Sequence, residues 1–144
     1  ESPMFSPESF EKIFLPAYRR MVCAFKEAGA RKVILHSDGN ILPLLDMLVD
    51  AGIDGINPVE PRAGMDVVSL KETYGDSLKL LGGMCNAHLL PNGTPEEIRN
   101  ETRRILEAGK DGGIVIGTHS IGDDVPVSNF DCFYDTVLQE GRYR

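Results

Sequence analysis

Basic residues are in short supply in this chain. Fifteen lysines and arginines face 22 aspartates and glutamates, for a formal charge of −7 at pH 7. No basic stripe follows from such a balance, which excludes a nucleic-acid partner. Cysteine is sparser still. The three, Cys23, Cys85 and Cys132, are far apart, odd in number and form no CxxC pair. That excludes a disulfide framework and a thiolate zinc knuckle, and it fits a reducing, cytoplasmic location. Long apolar runs are absent too: none approaches the ~20 residues of a membrane span, so no membrane partner is expected. No leader pattern is visible. The chain opens on Glu1, not methionine, and the expectation is that it was processed or cut from something longer. Linkers and low-complexity stretches are missing. Residues 1–144 therefore read as a single domain, with 42% hydrophobic and 26% charged residues, an ordinary soluble composition.

What is present is a regular alternation. Ser6-Pro7-Glu8 starts a predicted helix over 6–28, with Ser6 as N-cap and Gly29 as its left-handed stop. Pro16 falls inside it and predicts a kink. Further helices are predicted over 41–51, with Asn40 as N-cap, 66–74, 94–109 and 128–140, with Ser128 as N-cap. Thr94-Pro95-Glu96-Glu97 carries the strongest local signal, a capping box ahead of the buried face Ile98, Thr102, Ile105 and Leu106. Between these helices lie short apolar runs predicted as strands over 32–36, 53–57, 78–82 and 112–117.

Strand followed by helix, repeated, predicts an α/β fold with parallel strands covered by helices on the outside. The chain holds four βα units, half of a (β/α)8 barrel, which takes eight strands and typically ~250 residues. Four strands cannot close. The half-barrel is expected to pair with a second copy as a homodimer, or with a missing N-terminal half. An open four-stranded sandwich is the competing architecture.

In such a barrel the carboxyl ends of the strands form one face, and that face carries the chemistry. His36 and Asp38 sit there at i, i+2 after the first strand, a spacing that turns both side chains to one side. His119 sits there after the last strand. A His, Asp, His set suits zinc or another borderline divalent metal, with Glu60 in reserve as a displaceable ligand. Asn57, Arg62, Met84 and Cys85 follow the two middle strands and are candidates for substrate contacts, Arg62 toward an acidic group. Each position also has a structural reading: a core histidine, an Asx turn, an exposed loop, a small buried cysteine. His88 reads as surface.

The runs FSPESF, VILHSDGNILPLLDMLVDAGIDGINPVEP, AGMD, LKLLGGM, LLPNGTPEEI and GIVIGTHSI together resemble the uroporphyrinogen decarboxylase superfamily. The likeness covers nearly the whole chain and corresponds to the C-terminal half of that family's barrel. One branch of the family removes carboxyl groups from a porphyrinogen without a cofactor. The other comprises corrinoid-linked methyltransferases that use zinc to activate a thiol such as coenzyme M. In that second branch a His-x-Cys pair ends one strand and a Cys ends the last. His36 matches the histidine, Asp38 falls on the first cysteine, His119 falls on the second, and Glu60 lies near a glutamate that approaches the metal. The ligand set is thereby changed from His/Cys/Cys to His/Asp/His, which is harder. The resemblance implies a metal-dependent methyltransferase-like half-barrel acting on a thiol and a methyl donor. The alternatives are a decarboxylase of a tetrapyrrole, needing no metal and using His119 as a polar contact, and a non-catalytic fragment or assembly subunit.

Overall fold

The computed structural model describes residues 3–142. The chain runs α1 (Pro7–Ser9), a π-helical turn (Phe10–Phe14), α2 (Leu15–Glu27), β1 (Ile34–His36), a 3-10 turn (Leu42–Leu44), α3 (Leu45–Asp50) and β2 (Gly55–Val59). It continues with a second 3-10 turn (Pro61–Ala63), α4 (Val67–Tyr74), β3 (Lys79–Gly83), α5 (Leu89–Asn92), α6 (Pro95–Ala108), β4 (Ile114–Gly117) and α7 (Val127–Glu140). The strands form one parallel sheet in sequential order, β1-β2-β3-β4. This is the expected α/β alternation.

Strand register decides which face each residue serves. Ile56, Leu80 and Ile114 lie in one lateral row and all are buried. They face the helices and join the core with Leu45, Leu48, Val67, Leu70, Ile98 and Ile105. Each fully buried aliphatic side chain contributes roughly 1.5–3 kcal/mol of transfer free energy. The alternate residues point the other way: Ile34, Gly55 and Lys79 in one row, His36 and Asn57 in the next, then Leu81 and Val115. Among the described residues no helix covers this second face. Ile34 is 47% and Val115 60% exposed, whereas all-parallel sheets ordinarily have both faces covered.

β1 and β4 are the outermost strands, and flat strands at ~4.8 Å spacing would hold them ~14 Å apart. Yet the ring centroids of His36 and His119, carried at and just beyond their carboxyl ends, are 6.2 Å apart. The sheet curls with its bare face inward, as the wall of a barrel does.

Local chemistry moved several predicted boundaries. The helix expected over 6–28 opens as predicted, with Ser6 Oγ accepting from the Ser9 N–H. It then widens: the Leu15 N–H bonds to the Phe10 carbonyl, five residues back. Pro16 has no N–H for the carbonyl one turn earlier, and the π turn absorbs that mismatch where a kink was predicted. Gly29, at φ 99°, takes the left-handed stop. The predicted helix 41–51 begins as a 3-10 turn around Pro43, with Asn40 Oδ1 accepting from the Leu42 N–H at 3.0 Å.

The second strand starts two residues later than predicted and runs to Val59, through the Asn57–Pro58 peptide, which is cis. Its pairing with β3 shifts register between Ile56 and Val59, because Pro58 cannot donate to a ladder. Ser128 is not a cap. α7 starts at Val127 behind Pro126, whose carbonyl accepts from the Asn129 and Phe130 N–H groups. The capping box of α6 is as predicted, Thr94 and Glu97 exchanging both bonds.

Candidate metal centre

The centre grows from the carboxyl ends of the two edge strands. His36 is the last residue of β1, on the inward face, directly paired in register with Asn57 of β2. That pairing places Asn57 Nδ2 3.0 Å from His36 Nδ1. A primary amide offers a donor on one side and an acceptor on the other. As placed, Nδ2 faces the ring and donates to Nδ1; with the amide turned over, its oxygen would instead accept from Nδ1–H and leave the Nε2 lone pair free for a metal. Nε2 faces Asp38, whose Oδ1 lies 3.5 Å away. From the opposite edge, two residues past β4, His119 brings its own Nε2 to 3.3 Å from the same oxygen.

One ligand atom from each of His36, Asp38 and His119 lies within 4.8 Å of the others, and this is the metal-type cluster among the described residues. Ligands bound at ~2.1 Å around a tetrahedral ion sit ~3.4 Å from one another. Both distances to Asp38 match that spread. Two imidazoles and one carboxylate are borderline-to-hard donors, a set that suits a divalent first-row ion and leaves a coordination position open. The donors therefore fit such a metal.

Glu60 stands behind this cluster. It follows β2 by one residue, half-buried, with Oε1 3.6 Å from His119 Nδ1 and Oε2 accepting the Gly39 N–H at 2.7 Å. The loops are tied at the other end as well: Asn86, after β3, donates to Ser120 Oγ at 3.0 Å.

The remaining sequence candidates are spread out. Asn57 lies inside β2, beside His36. Arg62 is exposed on the 3-10 turn after β2. Met84 is 1% exposed and belongs to the core, and Cys85 is a half-buried free thiol. His88 is exposed ahead of α5. A cleft of about 640 Å³ opens beside the cluster, lined by Asp38, Glu60 and Arg62 on one side and by Phe5, Phe10 and Phe14 on the other. That volume is in the range of small-molecule sites. The aromatic wall is not among the sequence candidates. Its signal is the spacing of Phe5, Phe10, Phe14 and Tyr18, four or five apart across the amino-terminal turns, where Phe10 and Phe14 stack at 6.1 Å and Phe5–Phe14 and Phe10–Tyr18 meet tilted at 4.6 and 5.5 Å. The carboxylate bridge of Glu60 had no sequence signal, since it joins residues from three separate strand ends.

No described helix is long and apolar enough to cross a membrane.

Comparison with known proteins agrees with this fold. A methylated-thiol–coenzyme M methyltransferase from Methanosarcina mazei is 32% identical over 120 residues, 81% of this chain and 29% of that protein. A methylcobamide:CoM methyltransferase, MtbA, from Methanosarcina acetivorans is 29% identical over 102 residues, again 29% of its own length. The chain thus spans about three-tenths of the curated relatives it matches. Among solved structures, a methyltransferase from Methanosarcina mazei superposes with a TM-score of 0.71 at 24% identity, covering 94% of this chain and 38% of that one, a likeness of fold. The family model for uroporphyrinogen decarboxylase (URO-D) matches residues 2–139. With nearly every residue inside that match, and with the sheet curled as part of a barrel, this chain belongs to the uroporphyrinogen decarboxylase family.

Proposed function

We propose that this chain carries the metal-holding part of a thiol-directed methyltransferase. One observation supports the reading above others: Nε2 atoms from opposite edges of the sheet converge on a single oxygen of Asp38. His36, Asp38 and His119 hold the cation, with zinc the foremost choice. A divalent cation held by such a set lowers the pKa of a thiol in its open position, supplying thiolate near neutral pH.

The chain's own residues do the rest. Asn57 fixes the ring of His36. The cleft beside Asp38 receives the thiol-bearing substrate against Phe5 and Phe14, and Arg62 at its rim meets an anionic group. The similarity to coenzyme M methyltransferases favours methyl transfer to sulfur over decarboxylation of a tetrapyrrole. The two open sheet edges support a partner half-barrel, and the methyl donor binds in the volume that the partner would enclose.

Metal analysis of protein purified without chelator tests the reading. Close to one equivalent of divalent metal is expected in the wild type, and its loss in His36→Ala. Less than about a tenth of an equivalent in both proteins overturns it.

A further inference from the structure

We infer that Glu60 is not a fourth ligand but the clasp that holds two ligands in place. This rests on the metal reading above. The two oxygens of Glu60 do different things. Oε2 accepts the Gly39 N–H at 2.7 Å, and Gly39 directly follows Asp38, so this bond fixes the loop that carries the carboxylate ligand. Oε1 lies 3.6 Å from His119 Nδ1, on the side of the ring away from the cluster. His119 Nε2, on the other side, points at Asp38. At 3.6 Å this contact is electrostatic, not a hydrogen bond: a carboxylate behind an imidazole favours the proton on Nδ1 and leaves Nε2 as the metal-facing lone pair. One side chain on the second strand thereby sets Asp38 from the first strand end and His119 from the fourth.

Glu60 is not among the residues whose ligand atoms converge within 4.8 Å, and direct ligation would require it to leave its place beside Gly39 and His119. The half-buried position of Glu60, between β2 and the Pro61–Ala63 turn, disfavours that. The backbone following Glu60 is fixed by hydrogen bonds from the Ala63 and Met65 N–H groups to the Glu60 carbonyl. Glu60 is therefore a positioning residue, and removing it should weaken metal binding without changing the ligands that the metal sees.

Cobalt(II) is the probe, because its visible bands report the number and type of ligands while titration gives affinity. Glu60→Ala is expected to bind cobalt roughly 10- to 100-fold more weakly than wild type with the band positions unchanged. Glu60→Gln keeps the shape and an acceptor on only one of its two arms, and should fall between them. His119→Ala, which removes a ligand, should shift the bands. Glu60 variants whose affinity stays within about threefold of wild type overturn the proposal. So do Glu60 variants whose bands shift as in His119→Ala, since Glu60 would then be a ligand. Amide exchange of Gly39 in metal-free protein separates this proposal from the metal reading. It should accelerate at least tenfold in Glu60→Ala. A wild type that takes up no cobalt removes the metal reading, and unchanged Gly39 exchange removes the clasp.

Discussion

Asp38 Oδ1 stands 3.3 Å from Nε2 of His119, although the two residues follow opposite edges of the sheet. The contact exists because the sheet curls and brings the carboxyl ends of β1 and β4 together. Backbone topology thus assembles the centre. The identity of its donors is a separate matter, set by single residues at fixed positions.

That separation can be tested at Asp38 itself, since a cysteine at this position is what the resemblance to zinc methyltransferases implies. Asp38→Cys should keep the fold and make the donor set softer. Zinc affinity should rise relative to that for magnesium or manganese. The cobalt protein should gain a thiolate charge-transfer band in the near ultraviolet. If the band fails to develop at saturating cobalt, residue 38 does not touch the ion.

A second cluster, remote from the centre, governs pH stability. Asp54, just ahead of β2, is largely buried, which by itself raises its pKa. The Val33 N–H at 2.9 Å and the ammonium groups of Lys32 and Lys26 at 3.0 and 3.1 Å outweigh that and hold it down at about 2. A pKa lowered on folding stabilises at pH values above the unfolded pKa and is lost as pH falls through the folded value. The window is therefore below about pH 4, down to about pH 2. Both lysines are open to solvent, and screening leaves about 1–2 kcal/mol of the linkage. Asp54→Asn should destabilise by that amount at pH 7 and by only a few tenths of a kcal/mol at about pH 2, as read from urea unfolding at both values. Equal loss at the two pH values would show that the ion pairs are not the cause.

Much of this architecture was legible because local chemistry announces it. Thr94 and Glu97 mark a helix start by themselves, and the apolar runs around Leu35, Ile56, Leu80 and Ile114 mark strands. Parallel order followed from the intervening helices. The errors came where a distant group decides the outcome. Nothing near Asn57-Pro58 says that a proline will be carried inside a middle strand, and that placement depends on β3. His36, Asp38 and His119 could be picked out by residue type at strand ends, because barrel topology collects strand ends. The clasp of Glu60 and the amide of Asn57 behind His36 depend on lateral register, and register is a property of the assembled sheet.

The join between β2 and β3 depends on one glycine. Gly82 has φ 125°, and a Cβ there would lie 2.7 Å from the nitrogen and 2.9 Å from the oxygen of Val59. Both are backbone atoms of the neighbouring strand and cannot move aside as a side-chain tip would. Gly82→Ala should cost more than about 2 kcal/mol, combining strain at a positive φ with a forced widening of the strand pair. Gly39→Ala supplies the contrast. It also has a positive φ, but no atom lies within 4 Å of the added carbon, so only the backbone term of about 1 kcal/mol applies. Chemical denaturation of both variants should rank them in that order. An equal cost at both sites would mean that strand contact contributes nothing at Gly82.

The bare face of the sheet makes a last prediction about association. Ile34 on β1 and Val115 on β4 are 47% and 60% exposed, one at each edge. In an all-parallel sheet ordered β1 to β4, the β4 edge of one half-barrel is complementary to the β1 edge of another pointing the same way. Two such joints about a two-fold axis close eight strands and leave no edge. Wild-type protein at micromolar concentration should therefore sediment above the mass of a single chain. Lysine at an edge blocks strand addition because its charge cannot be buried in a new sheet. Val115→Lys and Ile34→Lys should each return the protein to one chain, with the helical signal in circular dichroism unchanged. A wild type that stays monomeric, or variants that associate as well as it does, would exclude these edges as the joining surface.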